Sequence, residues 1–276
     1  MRHKCLTPSA PSLAGLRVSA GARVAFGPGE PVSRLRSLSE WGGYRVKFPE
    51  AAGRAEAVLL NTGGGVAGGD ELQVEVKLDA GAALTFTTQS AERIYRSSGD
   101  ASKIAVRLNL GAKADLAYLP QETILFSKAR LQRSISGEIA EDATLLLAEM
   151  VVFGRTAMGE TVVEGAFADS WRIRRGGRLI YADEVKLDGP IHELLQRPAL
   201  GHAALSVGTI LYVAPDAPDR REEIRAILTD CGCRAAASTW NGFLCVRMLG
   251  DATAVRKCVA RTIAGLSRRP LPRVWC

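Results

Sequence analysis

Residues 61–70 read Asn-Thr-Gly-Gly-Gly-Val-Ala-Gly-Gly-Asp, and half of them are glycine. Glycine at that density serves a backbone that needs positive φ or very close approach to a neighbour, so what flanks the cluster decides the fold. Val58-Leu59-Leu60 supplies a strand before it, and Gly63 to Gly68 fits G-x-G-x-x-G. That pattern holds a dinucleotide only where a helix opens after its last glycine, because the helix N-terminus carries the pyrophosphate. Here Leu72, Val74, Val76 and Leu78 alternate with Gln73, Glu75 and Lys77, and a period of two is a strand. A glycine-rich turn between two strands is therefore the plain reading, with Gly63, Gly64, Gly65, Gly68 and Gly69 structural or interface-forming. An NAD(P)-binding oxidoreductase built on Gly63, Gly65 and Gly68 is the alternative function.

The alternation persists beyond the cluster. Strands are expected at 84–88, 104–110, 116–119, 144–152, 161–167, 171–175 and 179–187. Leu78-x5-Leu84, Leu110-x5-Leu116 and Ile139-x5-Leu145 echo one another at starts 32 and 29 residues apart, a spacing compatible with strands stacked in successive layers. Upstream, 16–18 and 24–26 flank Ser19-Ala20-Gly21-Ala22 like a hairpin, and 45–49 is a short strand ended by proline. After Pro198 the texture changes to a strand, a helix stopped by Gly232, a hairpin about Asn241-Gly242, and a helix capped by Asp251. The expected fold is mainly β, a β-solenoid-like or layered body, with a C-terminal β-α-β-β-α layer containing two helices. Residues 1–14 read as a flexible lead-in, 15–200 as the β-rich body and 201–276 as the α+β layer packed on it.

Composition narrows the function. A chain of 276 residues, 47% of them hydrophobic, can bury a sizeable core. No run reaches the length of a membrane span, and the basic, then Pro- and Ser-containing start has no secretory h-region. Six cysteines without a framework spacing are expected of reduced thiols, which together predicts a cytoplasmic protein. Cys231-x-Cys233 lacks the second pair or histidine that zinc needs. The formal charge of +7 and the arginines at 172, 174, 175 and 178 imply an acidic partner surface. No finger spacing or RNP pattern supports nucleic acid. Three histidines, a His192-Glu193-x-x-Gln196 that lacks the second ligand, and no G-x-S-x-G or Walker A leave an enzyme without residues to stand on.

Asn61 to Asp70, then Thr87-Thr88-Gln89 with Tyr95-Arg96-Ser97, then Leu119-Pro120-Gln121-Glu122-Thr123 resemble the UreD/UreH family of urease accessory proteins. Gly154-Arg155-x-Ala157-x-Gly159-Glu160, Trp171-Arg172-Ile173-Arg174 and Pro272-Arg273-x-Trp275 agree with it. The resemblance implies a non-catalytic scaffold and metallochaperone that binds UreF, through it the GTPase UreG, and docks on apo-urease so that nickel reaches its active site. A dimer of heterocomplexes is expected, with transient Ni²⁺ and no tightly bound cofactor. It further implies an internal water-filled passage for nickel. Inward-facing carboxylates are the natural lining, because they hold Ni²⁺ less tightly than thiolate or imidazole do. The candidates are Asp70, Glu71, Glu149, Asp183 and Glu184, and strand alternation allows one of each adjacent pair to face inward. Arg256, Arg261 and Trp275, on the last helix and the terminal segment, are candidates for partner docking.

Overall fold

The computed structural model describes residues 17–50, 53–155 and 158–275; the lead-in at 1–14 lies outside them. The chain opens with β1 (Ser19–Gly27), β2 (Arg34–Trp41) and β3 (Tyr44–Lys47). It then winds through β4 (Ala55–Asn61), β5 (Glu71–Leu78), β6 (Ala83–Thr88), a short β7 (Glu92–Ile94), β8 (Ser102–Leu110) and β9 (Asp115–Leu119). A short β10 (Thr123–Leu125), β11 (Arg130–Ile139), β12 (Thr144–Phe153), β13 (Gly165–Arg175) and β14 (Arg178–Gly189) follow. From β4 to β13 the long strands alternate between two sheets. β1, β5, β8, β11 and β13 pair in parallel in one, and β4, β6, β9 and β12 in parallel in the other. Each turn of the chain thus adds one rung to both sheets, which is the solenoid-like body expected from the alternation.

The three echoed segments are corners of this coil. Leu78, Leu110 and Ile139 are register partners in one sheet, and Leu84, Leu116 and Leu145 in the other. Each corner is bonded to the one below by the same contacts, Gly111 N to Leu78 O (2.9 Å) and Ala140 N to Leu110 O (2.9 Å), Asp115 N to Ala82 O (2.9 Å) and Thr144 N to Ala114 O (2.8 Å). Ala82, Ala114 and Ala143 sit buried at equivalent places, each closing its corner with a backbone bond to the carbonyl three residues earlier, at 3.1 Å. The inward residues of the rungs, among them Leu72, Val74, Val76, Leu108, Leu131 and Ile135, form one continuous core between the sheets. Each such aliphatic side chain contributes about 1.5–3 kcal/mol on burial.

The first expected hairpin is corrected. Ser19–Gly27 is a single strand, and the small residues that suggested a turn are there for packing: a Cβ on Gly21 would lie 2.3 Å from Gln73 O and 2.5 Å from the Trp41 ring. The hairpin forms one element later, between β1 and the antiparallel β2, a strand that the sequence pattern did not show. The expected strands 161–167 and 171–175 are likewise one, β13.

The rest of the chain is α1 (Ile191–Gln196), β15 (Ser206–Val213), α2 (Arg221–Leu228), β16 (Arg234–Trp240), β17 (Phe243–Gly250), α3 (Ala252–Ser267) and a 3-10 turn at Arg273–Trp275. From β15 onward this is the expected β-α-β-β-α order, with α1 as an additional short helix before it. β15 pairs antiparallel with β12, and β17 and β16 extend the same sheet. α2 and α3 cover that sheet's outer face, so Leu146, Ala148, Met150 and Val152 pack against Val255, Val259 and Ile263. β12 is therefore buried on both faces, which is why Leu145 to Phe153 is an almost unbroken apolar run. α3 begins at Asp251, whose side chain accepts from Thr253 N and Ala254 N, an N-cap worth about 1 kcal/mol.

Candidate functional site

One charged residue in β12 breaks that run. Glu149 shares its phase with Leu145, Leu147, Val151 and Phe153, so it faces the space between the sheets. Arg133 occupies the matching inward phase of β11, between Leu131 and Ile135, and Asp169 that of β13, between Phe167 and Trp171. The three meet. Arg133 Nε donates to Asp169 Oδ1 (3.0 Å) and Nη2 to Oδ2 (2.7 Å), a two-point fork, while Nη1 donates to Glu149 Oε2 and to Thr123 Oγ1 (3.3 Å). Trp171 Nε1 closes the cluster on Asp169 Oδ2 at 3.1 Å. Burial pushes the Glu149 carboxyl up to about 7, against the opposing pull of Arg133. Removing one member of such a buried set strands the others' charges, at about 3–5 kcal/mol.

This cluster forms one wall of a cavity of about 410 Å³ between the two sheets. The opposite side comes from β14, β15 and β17, with Asp183, Glu184, Thr209 and Arg247, and α1 with the segment after it contributes Leu195, Leu200 and Ala204. Arg247 pairs with Asp183, and Arg172 with Glu184 at 3.4 Å on the exposed side. Three of the five carboxylates expected from sequence, Glu149, Asp183 and Glu184, are thus brought to one cavity, and alternation along β14 leaves Asp183 the more buried of its pair.

Asp70 and Glu71 lie elsewhere. Asp70 is buried and accepts from Val18 N (2.9 Å) and Ala67 N (2.8 Å), tying the end of the glycine loop to the start of β1. Glu71 is exposed and paired with Lys103 at 2.8 Å, whose hydrogen bond and charge hold its carboxyl below the usual range. As alternation required, one of the two faces inward, but at the glycine loop rather than at the cavity.

The glycine loop leads into β5, not into a helix, so the G-x-G-x-x-G match has no helix N-terminus on which to seat a pyrophosphate. Its glycines are accounted for by close packing or by positive φ. A Cβ on Gly65 would meet the Tyr95 ring at 2.5 Å and Arg93 O at 2.8 Å, and one on Gly68 would meet Ser97 Oγ at 2.1 Å. Gly64 and Gly69 have φ of 76° and 87°. Beneath Gly63, Asn61 Oδ1 accepts from Gly63 N (2.9 Å), and Asn61 Nδ2 donates to Glu92 (2.9 Å) and to Gly65 O (3.3 Å). Tyr44 Oη also donates to Glu92 (3.0 Å), whose carboxyl is raised by burial.

Trp275 is buried, with Nε1 donating to Leu119 O at 2.9 Å and the Arg256 guanidinium 5.0 Å over its ring. Arg256 is further held by Glu122 and by Gln121 Oε1 (2.7 Å). Both are engaged with the body, whereas Arg261 is exposed and donates to Asp230 O at 3.2 Å. Burial raises the Cys258 thiol on α3, which neighbours Cys231 and Cys233. Among the described residues, no three or more His, Cys, Asp or Glu side chains are arranged to hold a metal ion, and no helix is long and apolar enough to cross a membrane.

Sequence reasoning missed Arg133 and Asp169. The signal was available, since each stands in the apolar phase of a period-two strand, where an ionised side chain needs a buried partner.

Comparison with known proteins agrees with the motifs. The family model described as "UreD urease accessory protein" matches residues 18–276. A protein of Methylobacterium radiotolerans called "Urease accessory protein UreD 1" is 52% identical over 92% of this chain and 90% of its own length. "Urease accessory protein UreD" of a Methylobacterium species is 46% identical over 98% of both, and "Urease accessory protein UreD 2" of Methylorubrum populi is 47% identical over 94% and 88%. The chain belongs to the UreD family of urease accessory proteins.

Proposed function

We propose that this chain is a cytoplasmic, non-catalytic scaffold for nickel insertion into apo-urease, assembling with UreF and through it with UreG. The observation that carries the nickel reading is the buried Arg133–Glu149–Asp169 cluster on the wall of a 410 Å³ cavity that also holds Asp183 and Glu184. A protein passing a metal on should hold it weakly. Carboxylate oxygens with water suit that task better than thiolate or imidazole, and here the carboxylates are already partnered by Arg133, Arg172 and Arg247, so a passing Ni²⁺ competes with guanidinium rather than falling into a closed site. Burying ionisable groups costs stability, and clustering them beside a cavity is the pattern of a functional site. Nickel is cargo in this reading, and the chain's oxygens are stations along its way.

The test is reconstitution. Apo-urease, Ni²⁺, UreF and UreG are combined with and without the chain, and assembly is followed by size-exclusion chromatography. The reading expects the chain to co-elute with UreF and UreG as a dimer of heterocomplexes and urease to become active only when the chain is present. Equal activation in its absence would refute the scaffold role.

A further inference from the structure

Two hairpin tips lie side by side at the end of the body formed by β14 and β16; neither lines the cavity, and of their residues Phe243 alone is packed in the core. The first is the β13–β14 turn, Arg175-Gly176-Gly177-Arg178, and the second the β16–β17 turn, Trp240-Asn241-Gly242-Phe243. Arg175 links them, since a Cβ on Gly242 would be 3.1 Å from its Nη1. Two features of this place are costly for a chain that only has to fold. Trp240 is 54% exposed, the most exposed aromatic residue among the large hydrophobic ones at the surface. Arg175 and Arg178 are direct cross-strand partners, and like charges opposite each other destabilise a hairpin.

Among the described residues neither arginine is in an ion pair. Arg175 Nε donates to the Glu141 backbone carbonyl (2.6 Å), and Arg174 is the one drawn to Glu138, at 3.6 Å. The Trp240 ring is backed by Phe243, centroids 4.6 Å apart, and Phe243 in turn by Tyr181 at 5.3 Å, so the indole is held in place before anything binds. Leu179, 40% exposed, continues the apolar surface beside the arginines. Trp and Arg are the side chains most enriched where binding energy concentrates, and a pre-positioned aromatic anchor loses little entropy on docking.

We propose that the paired tips dock an acidic protein face, with Trp240 entering an apolar pocket and Arg175 and Arg178 reading carboxylates at its rim. The partner is apo-urease; this assignment rests on the function proposed above. Tyr181 stands next to Asp183, whose carboxylate pairs with Arg247, so a partner seated on the tips would lie beside the cavity.

The experiment measures binding of apo-urease to the chain assembled with UreF and UreG, using Trp240→Ala, Trp240→Phe and the double variant Arg175→Glu/Arg178→Glu. Trp240→Ala should weaken binding by at least about tenfold, Trp240→Phe by less, and the charge-reversed variant should lose both affinity and its salt sensitivity. All three should still co-elute with UreF, which reports that they fold. Wild-type affinity in Trp240→Ala and in the double variant would overturn the docking surface. Loss of UreF co-elution with apo-urease binding intact, or loss only of binding to a DNA duplex, would overturn it in favour of another occupant. Failure of the unsubstituted assembly to bind apo-urease would instead overturn the function proposed above.

Discussion

Replacing Glu149 by glutamine should flatten the pH dependence of folding stability. Burial raises the Glu149 carboxyl from 4.5 to about 7, with Arg133 opposing. The unfolded chain leaves that carboxyl near its ordinary value, so between the two values the folded state holds a proton that the unfolded state has released. Stability is then greatest below 4.5 and is lost as pH rises through about 7, the reverse of a salt-bridged carboxylate with a depressed value. The window spans about 2.5 pH units at about 1.36 kcal/mol each, or roughly 3 kcal/mol. Glutamine keeps the size and an oxygen for Arg133 to donate to, but does not titrate. Urea midpoints read by tryptophan fluorescence report this directly, because Trp171 is hydrogen-bonded to Asp169 in the same cluster. Every other titrating group is common to both proteins, so the difference between wild type and Glu149→Gln isolates the one carboxyl. From about pH 5 to about pH 8 wild type should lose roughly 2–3 kcal/mol relative to the variant. Parallel stability curves would refute the burial argument and leave Glu149 ionised throughout.

Gly65→Ala should reduce folding yield or stability by about 1–3 kcal/mol, more than Gly64→Ala, because the Gly65 Cβ collides with a ring and a carbonyl while Gly64 has open space and only its φ of 76° to strain; equal midpoints would contradict the packing account. Deleting residues 270–276 should lower the thermal midpoint and expose Leu119 O, because Trp275 and its bond to that carbonyl are lost; an unchanged melting curve would mean that the terminal turn does not hold the body. Glu71→Gln should leave the denaturation midpoint unchanged, since the Glu71 to Lys103 pair is exposed and such pairs contribute little.

The body was legible because its rungs repeat. Leu78-x5-Leu84 and its two copies show the corners, and the β-α-β-β-α order after Pro198 follows from caps and one Asn-Gly turn. The misread start has a physical cause: Ser19-Ala20-Gly21-Ala22 has a turn's composition, yet the small side chains make room for Trp41 and the Gln73 backbone, a long-range demand that local pattern does not carry. The candidate site was half legible. Glu149 stands out in an apolar run, but whether an acid on a strand is buried depends on the phase of its neighbours, and Asp183 and Glu184 could be told apart only by that. Arg133 and Asp169 were passed over because the charges that interrupt their strands hid the strands themselves: none was expected over 130–139, and Asp169 fell in the gap between the expected 161–167 and 171–175. Trp275 was expected near a free end because nothing in the sequence tells of Leu119 O, 156 residues away.

The central claim, that nickel reaches apo-urease past the carboxylates of the inter-sheet cavity, is tested most directly by the nickel dependence of activation. Glu149→Gln, Asp183→Asn and, as a control outside the cavity, Glu71→Gln would each be assembled with UreF, UreG and apo-urease, and urease activity measured over a range of Ni²⁺ concentrations. With assembly intact, the account predicts that Glu149→Gln and Asp183→Asn need more nickel for half-maximal activation, while Glu71→Gln follows wild type. Superimposable nickel curves for all four proteins would contradict it.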